Sequence, residues 1–307
     1  MITRAEAERR DTADQLRGLR DAFEIEPTGP IYLDGNSLGR LPRRTVERLE
    51  RLIRDEWGTQ LVGGWEEWIE LPARVGDLIG RHFLGARRGE VVVSDSTTVN
   101  LYKLAAAALE ARPGRHAIVA TQDEFPTDRY VLEGLAAARG LELRLLETDA
   151  VEGVREEDIA AALSEDVALV CLSLVNYRSS ALADMAALNR LARAAGAMML
   201  WDVSHAVGAV PIDLAASGTE LAVGCTYKYL NGGPGAPAYL YVRSELQDEL
   251  RPPIQGWFAQ RDQFEMGPSF ERRPGIAGWL VGTPPVFALT AAQAGIELVA
   301  EAGIGAI

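Results

Sequence analysis

Cysteine and histidine are both scarce in this chain of 307 residues. The two cysteines, Cys171 and Cys225, each follow an apolar run and do not form a CxxC pair. We therefore expect buried, reduced thiols and a reducing compartment. The three histidines, His82, His116 and His205, are too few and too scattered to predict a metal site.

A positive net charge and long apolar runs are also missing. The formal net charge is −13, which argues against nucleic acid as a partner because phosphate backbones are bound by clustered lysine and arginine. No run approaches the roughly 18 apolar residues of a membrane-spanning helix. Residues 1–20 are charged and lack the apolar core of a signal peptide. We expect a soluble cytoplasmic protein that binds neither nucleic acid nor membrane.

From about residue 70, short apolar runs alternate with helical patterns. This alternation predicts an α/β fold with a mainly parallel, seven-stranded sheet and helices on both faces. The predicted strands cover residues 91–93, 117–120, 141–145, 168–172, 197–201, 221–224 and 238–242. Ligands of such sheets bind beyond the carboxyl ends of the strands, so we expect the site there.

The pattern predicts three regions along the chain. Residues 1–70 form a helical segment, with helices at 5–20 and 42–57 on either side of a loop at residues 33–39, which we call the entrance loop. Residues 71–250 form the large α/β domain. The proline-rich residues 251–307 begin a C-terminal small domain, whose last helix starts near Val286 and reaches Ile307 without a capping residue. We therefore expect this small domain to be incomplete.

Lysine is rare as well, because only two of the 31 lysine and arginine residues are lysines. One of them, Lys228, lies between the apolar run at residues 221–224 and a glycine-rich loop. Asp202 ends an earlier apolar run, at residues 198–201. Pyridoxal phosphate (PLP) chemistry needs such a pair. The lysine forms a Schiff base with the cofactor, and the carboxylate keeps the pyridine nitrogen protonated. Alone, Asp202 could be a helix N-cap and His205 a structural histidine.

Two further segments suit the same cofactor. Residues 94–100, with the sequence Ser-Asp-Ser-Thr-Thr-Val-Asn, join a strand to a helix, where hydroxyl and N–H groups can bind an anion. An ordinary N-cap is the alternative. Phe125 could stack on a heterocycle, or act as a hydrophobic staple before a helix that starts with proline. The chain has neither a GxGxxG turn nor a P-loop, which disfavours dinucleotides and ATP.

Taken in order, these motifs resemble kynureninase, a fold-type I PLP enzyme of the class V aminotransferase group. The matching segments run through nearly the whole chain: Leu33-Asp34-Gly35-Asn36-Ser37-Leu38-Gly39, Thr98-Val99-Asn100-Leu101, Phe125-Pro126-Thr127-Asp128, Asp202-Val203-Ser204-His205-Ala206-Val207-Gly208, Tyr227-Lys228-Tyr229-Leu230-Asn231-Gly232-Gly233-Pro234-Gly235, Gly256-Trp257-Phe258 and Gly282-Thr283-Pro284-Pro285. The Asp/His and Lys motifs are shared with cysteine desulfurases. The segments at residues 36–39, 125–128, 227–231 and 256–258 are more specific to kynureninase.

The resemblance implies a role for each residue. Lys228 would form the Schiff base, Asp202 would face the pyridine nitrogen and Phe125 would stack on the ring. The phosphate or cofactor edge would be held by Thr97, Thr98, Tyr227 and Trp257, with Thr283 reaching in from a partner subunit. The cofactor shell would be completed by Pro126, Thr127, Asp128, Ser173 and His205. The substrate would lie near Asn36, Ser37 and Phe258.

The resemblance also implies an activity. It is the hydrolytic Cβ–Cγ cleavage of L-kynurenine, or its 3-hydroxy form, to L-alanine and anthranilate or 3-hydroxyanthranilate. The reaction belongs to tryptophan catabolism and NAD biosynthesis, in a homodimer with shared active sites. The preferred substrate stays open and would depend on residues near 64–68. In the family, an arginine in the small domain binds the substrate carboxylate. It would fall beyond Ile307, and Arg272 and Arg273 are the nearest candidates to replace it.

Two alternatives remain at this point. Another class V PLP enzyme, such as a cysteine desulfurase or β-lyase, would need a nucleophilic cysteine in a mobile loop, but Cys171 and Cys225 lie in core-like contexts. A catalytically silent paralogue that serves as a binding partner would agree with an incomplete small domain.

Overall fold

The computed structural model describes residues 2–149 and 151–307. Within these residues, seven strands form one sheet in the order β1-β7-β6-β5-β4-β2-β3. The strands are β1 Val91–Val93, β2 Ala117–Thr121, β3 Glu142–Leu146, β4 Val167–Ser173, β5 Met198–Asp202, β6 Leu221–Gly224 and β7 Tyr239–Val242. Only β7 is antiparallel to its neighbours. The predicted mainly parallel, seven-stranded α/β sheet is confirmed.

Helices cover both faces of this sheet. They are α1 Arg4–Ala13, α2 Arg43–Arg51, α3 Trp65–Trp68, α4 Leu71–Ile79, α5 Thr97–Glu110, α6 Pro126–Arg139, α7 Glu156–Ala162, α8 Met185–Ala194 and α9 Val286–Ala302. Shorter 3-10 turns span Arg17–Ala22, Leu61–Gly64, Ser244–Leu246, Trp257–Ala259, Gln263–Glu265 and Gly275–Trp279. Wider π-type turns extend α2 and α4 over Leu52–Gln60 and Gly80–Leu84.

Two apolar cores sandwich the sheet. The inner strands are apolar except for Ser173 and Asp202 at their carboxyl ends, as expected when both faces of a strand are buried. One core joins alternate strand residues such as Val170 and Trp201 to α4, α8 and α9. The other joins the intervening residues, such as Cys171 and Leu200, to α5 and α6. The helices therefore hold the strand ends in fixed positions, which is what a site at that edge requires.

The helices near the two ends of the chain differ from the prediction. The first ends at Ala13, where Asp14 takes an extended conformation, because α1 buries none of its residues. The helix predicted at residues 42–57 ends at Arg51 and continues as the π-type turn Leu52–Gln60. The last ends at Ala302, because Gly303 follows at φ 77° and its N–H donates to the carbonyl of Val299. The expectation of an uncapped helix reaching Ile307 was wrong.

None of the helices in the described residues is both long enough and apolar enough to span a bilayer.

Candidate active site

The carboxyl ends of four neighbouring strands, β2, β4, β5 and β6, meet at one edge of the sheet. Asp202, the last residue of β5, pairs in register with Ser173 of β4 and Val223 of β6. Its carbonyl accepts a 2.9 Å hydrogen bond from the N–H of Leu174. Asp202 therefore lies where ligands of parallel sheets bind.

Lys228 lies four residues beyond β6 in a tightly constrained turn. Its carbonyl accepts a 3.0 Å hydrogen bond from the N–H of Asn231, which adopts a left-handed φ of 54°. Gly39 packs so closely that a Cβ there would collide with Lys228 and Asn231, and its N–H donates to the carbonyl of Tyr227 at 2.8 Å. Only glycine fits at residue 39. The entrance loop thus braces the lysine directly.

The side chain of Lys228 is 7% exposed. Its Nζ lies 2.7 Å from Nε2 of His205. The same nitrogen lies 5.6 Å from the ring centre of Phe125 and 5.8 Å from that of Tyr227. Burial and the charge of Lys228 lower the pKa of His205, against the opposing charge of Asp202. A neutral His205 can therefore accept a hydrogen bond from the ammonium group.

Three carboxyl groups are buried at this edge of the sheet: Glu124, Asp128 and Asp202. Burial raises the pKa of Glu124 to about 7, while its hydrogen bonds from Ser173 and Thr121 act in the opposite direction. Burial, with the charges of Asp202 and Glu124, raises the pKa of Asp128 well above its usual range. Negative charge on these carboxyl groups is therefore disfavoured at this edge unless a hydrogen-bond donor or a cation is added.

Neither carboxyl oxygen of Asp128 accepts a hydrogen bond from an N–H or hydroxyl group among the described residues, and its carboxyl group faces that of Asp202, an arrangement that raises the pKa of Asp128. Buried polar atoms are nearly always paired, so two facing carboxyl groups without other donors indicate a missing donor or cation. Asp202 already accepts a 2.8 Å hydrogen bond from the N–H of Ser204. A protonated pyridine nitrogen would supply a donor and a positive charge, so these carboxylates fit PLP.

The turn between β1 and α5 fits the phosphate of the same cofactor. Ser96 caps α5, because its hydroxyl accepts a hydrogen bond from the N–H of Val99. In the part of the chain that the structure describes, the N–H groups of Thr97 and Thr98 donate to no protein acceptor. The N-cap alternative holds for Ser96, while Thr97 and Thr98 keep free donors at a helix N-terminus, where anions bind well.

The side chain of Phe125 is 40% exposed, which does not suit a hydrophobic staple. Its ring contacts that of Tyr177 edge-on, with centres 5.4 Å apart, and lies 6.4 Å from His205. Tyr177 was not predicted from the sequence. The signal available was its place just after β4, in the loop that follows a strand end. Pro126 and Thr127 begin α6 behind Phe125 and are half-buried.

Trp257 and Phe258 form a second cluster with Trp65, and the N–H of Phe258 donates to the carbonyl of Val281, two residues before Thr283. The ring centres of Trp257 and Phe258 are 4.8 Å apart, and Trp65 lies 6.3 Å from Phe258. Trp257 is 42% exposed and Thr283 is also exposed. Across residues 2–149 and 151–307, no hydrogen bond, ion pair or aromatic contact joins this cluster to Lys228. A single chain therefore does not bring all the predicted residues together.

The entrance loop lines a cavity of about 550 Å³ that also reaches Lys228. Gly35, Gly39 and Arg40 form part of its wall. Asn36 and Ser37 lie in the same loop and are exposed, and the hydroxyl of Ser37 donates to Asp34 at 2.8 Å.

Neither arginine candidate for the substrate carboxylate is placed at Lys228 by any contact in the described residues. Arg272 donates to the carbonyls of Leu250 and Asp248, at 2.6 and 3.1 Å, so its guanidinium braces the backbone. The N–H of Arg273 donates to the carbonyl of Ala259.

Both cysteines are buried, as expected from the sequence. Burial raises the pKa of Cys171 well above its usual range and also raises that of Cys225. Neither thiol is a ready thiolate nucleophile.

Comparisons with known proteins agree with this architecture. A profile of the family described as aminotransferase class-V matches residues 31–307. A protein named kynureninase from Burkholderia pseudomallei (strain 1106a) is 42% identical over 315 residues, which cover 100% of this chain and 74% of the relative.

Solved structures share the fold. The protein C-DES, with glycine covalently linked to its PLP cofactor, matches with a TM-score of 0.78 and 17% identity, over 88% of this chain and 71% of that chain. The apo cysteine desulfurase from Thermococcus onnurineus NA1 matches with a TM-score of 0.75 and 21% identity, over 90% of this chain and 68% of that chain.

The sheet and the lysine at its edge define the class V aminotransferase fold. The identity of 42% over the full chain goes further than the fold. The chain belongs to the kynureninase family, and the resemblance predicted from its motifs is confirmed.

Proposed function

We propose that this protein is a PLP-dependent hydrolase that cleaves the Cβ–Cγ bond of L-kynurenine or 3-hydroxy-L-kynurenine. The products are L-alanine and anthranilate or 3-hydroxyanthranilate. The observation that carries the proposal is the buried Lys228 amine, 2.7 Å from His205 and at the same sheet edge as three buried carboxyl groups. Membership of the kynureninase family supports the choice of substrate.

The cofactor would be held at four points. Lys228 would bond to its aldehyde, Asp202 would pair with its pyridine nitrogen, and Phe125 would cover one ring face. Free N–H groups at Thr97 and Thr98 would bind its phosphate. The remaining residues proposed for the cofactor shell are Pro126, Thr127, Asp128, Ser173 and His205. When bound, PLP supplies an electron sink for the carbanions of the reaction.

Protons are moved by the chain itself. With PLP bound, the amine of Lys228 would take the α-proton of the substrate, with neutral His205 as its neighbour. Tyr227 flanks the same amine, and burial raises its pKa to about 12. Its phenol therefore stays protonated at neutral pH and can donate a proton to Cβ.

The substrate would enter beside the loop that carries Asn36 and Ser37, with its aryl ring towards Phe258. Trp65, 6.3 Å from Phe258, is a candidate to discriminate the 3-hydroxyl group. Trp257 and Thr283 lie on the surface of one chain, so we propose that a homodimer brings them to the partner's cofactor. We also propose the three-region organisation 1–70, 71–250 and 251–307, and a cytoplasmic location in tryptophan catabolism and NAD biosynthesis.

The covalent anchor can be tested by reduction with borohydride after PLP is added, followed by peptide mapping. Because the chain has only two lysines, the modified residue can be assigned unambiguously. We expect the label on Lys228, and none on a Lys228→Ala variant that retains its fold by circular dichroism. A protein that takes up no PLP would overturn the enzyme proposal and would favour a silent paralogue.

Activity is tested by the fluorescence of anthranilate after L-kynurenine is added. The 3-hydroxy substrate, compared by kcat/KM, settles the preference between the two. Release of sulfide or alanine from cysteine, with no cleavage of either kynurenine, would support a desulfurase instead. The high pKa of both buried thiols argues against that outcome.

Tyr227→Phe tests the proton donor, and Tyr229→Phe is a matched control on the other side of the same lysine. We expect the first change to lower kcat by about 100-fold or more, the usual contribution of a positioned acid. The second should change kcat by no more than about twofold. Equal, small effects of the two changes would remove Tyr227 from the mechanism.

A further inference from the structure

Lys103 is the second lysine of the chain, and its side chain is 0% exposed. It lies on α5, two turns inside the helix whose N-terminus carries Thr97 and Thr98. Fully buried lysines are rare unless they are paired, because removing an ammonium group from water is costly. The proposed chemistry at Lys228 does not use this residue, so its burial needs another explanation.

The ammonium group faces two residues of the turn that precedes α5, Ser94 and Asp95, and one residue of the first turns of α5, Asn100. Nζ lies 3.0 Å from Oδ2 of Asp95, 3.1 Å from Oδ1 of Asn100 and 3.5 Å from Oγ of Ser94. Asn100 in turn donates from Nδ2 to the carbonyl of Ser94 at 2.7 Å. An ammonium has three N–H donors, and three acceptors surround this one.

Asp95 is the strained member of this group. Its φ is 54°, a left-handed conformation that costs free energy for a residue with a side chain. Its carbonyl also accepts a 2.9 Å hydrogen bond from the N–H of Ala238. The contact with Lys103 therefore helps to hold Asp95 in this left-handed conformation.

Asp95 also places a carboxylate two residues before Thr97, beside donors suited to an anion. An unpaired carboxylate there would repel a phosphate. Burial lowers the pKa of Lys103, whereas the charge and hydrogen bond of Asp95 act in the opposite direction. The ion pair, at 3.0 Å, cancels the negative charge of the turn.

We propose that Lys103 is a positioning residue for the cofactor phosphate, because it neutralises Asp95 and holds the turn that presents the N–H groups of Thr97 and Thr98. This inference rests on the proposed function. The inference adds a second lysine, Lys103, which does not touch the cofactor but determines how strongly the phosphate is bound.

The experiment compares PLP with pyridoxal, which has the same aldehyde and ring without the phosphate. Dissociation constants of both are measured on the apoprotein by quenching of tryptophan fluorescence. We expect Lys103→Met to weaken PLP binding by about tenfold or more and to change pyridoxal binding by no more than about twofold. The double variant Lys103→Met/Asp95→Asn should regain most of the affinity for PLP, since it removes the unpaired carboxylate.

Asp95→Asn alone provides a second test if Lys103→Met does not fold. It leaves an unpaired cation beside the phosphate, so PLP binding should tighten while pyridoxal binding stays the same. Equal weakening of PLP and pyridoxal by Lys103→Met, without recovery in the double variant, would show a merely structural role and overturn the inference. So would unchanged PLP binding in both single variants. A wild-type protein that binds neither compound would overturn the proposed function and this inference together.

Discussion

The two ends of the proposed cofactor site treat charge in opposite ways. The carboxylate end, formed by Glu124, Asp128 and Asp202, buries three carboxyl groups, and the raised pKa values of Glu124 and Asp128 show that negative charge there is not fully compensated. The phosphate end, formed by residues 94–103, pairs Asp95 with Lys103 and offers neutral N–H and hydroxyl groups. A ligand that brings a cationic donor to one end and an anion to the other would satisfy both. The apoprotein is therefore arranged to bind a group with opposite charges at its two ends.

Removal of the charge at the carboxylate end should have the largest effect. Asp202→Asn keeps the hydrogen bond from Ser204 but cannot hold the pyridine nitrogen protonated. We expect kcat to fall by about 100-fold or more, as when a single electrostatic stabiliser is removed. Asp166→Asn, at the opposite end of the sheet, is the control and should change kcat by no more than about twofold. Full activity in Asp202→Asn would show that the charge of Asp202 is not needed, and would contradict the proposed difference between the carboxylate end and the phosphate end.

Glu124 allows the carboxylate end to be examined without any ligand. Its pKa is raised from 4.5 to about 7. A carboxyl group with a raised pKa contributes stability below the unfolded value, and that stability is lost as the pH rises through the folded value. Glu124→Gln removes this loss, and its amide can still bond to Ser173 and Thr121. Relative to wild type, the variant should therefore become more stable from pH 5 to pH 8, by at most about 3 kcal/mol.

Urea unfolding of the apoprotein at the two pH values measures this gain. Glu133→Gln, on the exposed side of α6, is the control and should show no such trend. A gain of equal size at both pH values would mean that the carboxyl group of Glu124 does not titrate in this range.

The phosphate end should respond more weakly to the loss of one hydroxyl. Thr98→Val removes a single donor and leaves the backbone N–H groups in place. PLP should bind about tenfold more weakly, the usual contribution of a hydrogen bond to a charged group, while pyridoxal binding should not change. Thr98→Ser should restore the affinity. A weaker affinity for both compounds would indicate that the substitution disturbs the helix rather than the phosphate contact.

The fold could be predicted from the sequence because the strands are short apolar runs rich in valine and leucine. Such runs are typical of strands buried on both faces, and β1 to β7 fall within one or two residues of the prediction. The ends of the terminal helices were misjudged for two reasons. The end of α1 is not fixed by packing, whereas α9 packs on the core and ends where Gly303 takes a positive φ. In α1 the charged pairs Glu6–Arg9 and Glu6–Arg10 are exposed, and nothing buried marks where the helix must end.

Part of the site was also visible in the sequence. Lys228, His205 and Phe125 were predicted from motifs, and the structure brings them within contact distance. Glu124 and Lys103 were missed, because a charged side chain in a sequence suggests solvent exposure. Their burial depends on neighbouring strand ends and on α5, which no local pattern encodes. The meeting of Trp257 and Thr283 with the cofactor stays a prediction that depends on a second subunit.

The reversed direction of β7 has a mechanical consequence. After Lys228 the chain turns back, and the N–H of Ala238 donates to Asp95 while the N–H of Ser94 donates to the carbonyl of Ala238. The hydroxyl of Thr226 donates to the carbonyl of Pro237 at 2.7 Å, which ties the start of this stretch to its end. The residues from 226 to 238 therefore act as a short strap between the lysine and the phosphate turn. Insertion of residues into this strap would allow Lys228 and the phosphate turn to move apart, even though the side chains proposed to hold the cofactor would be unchanged.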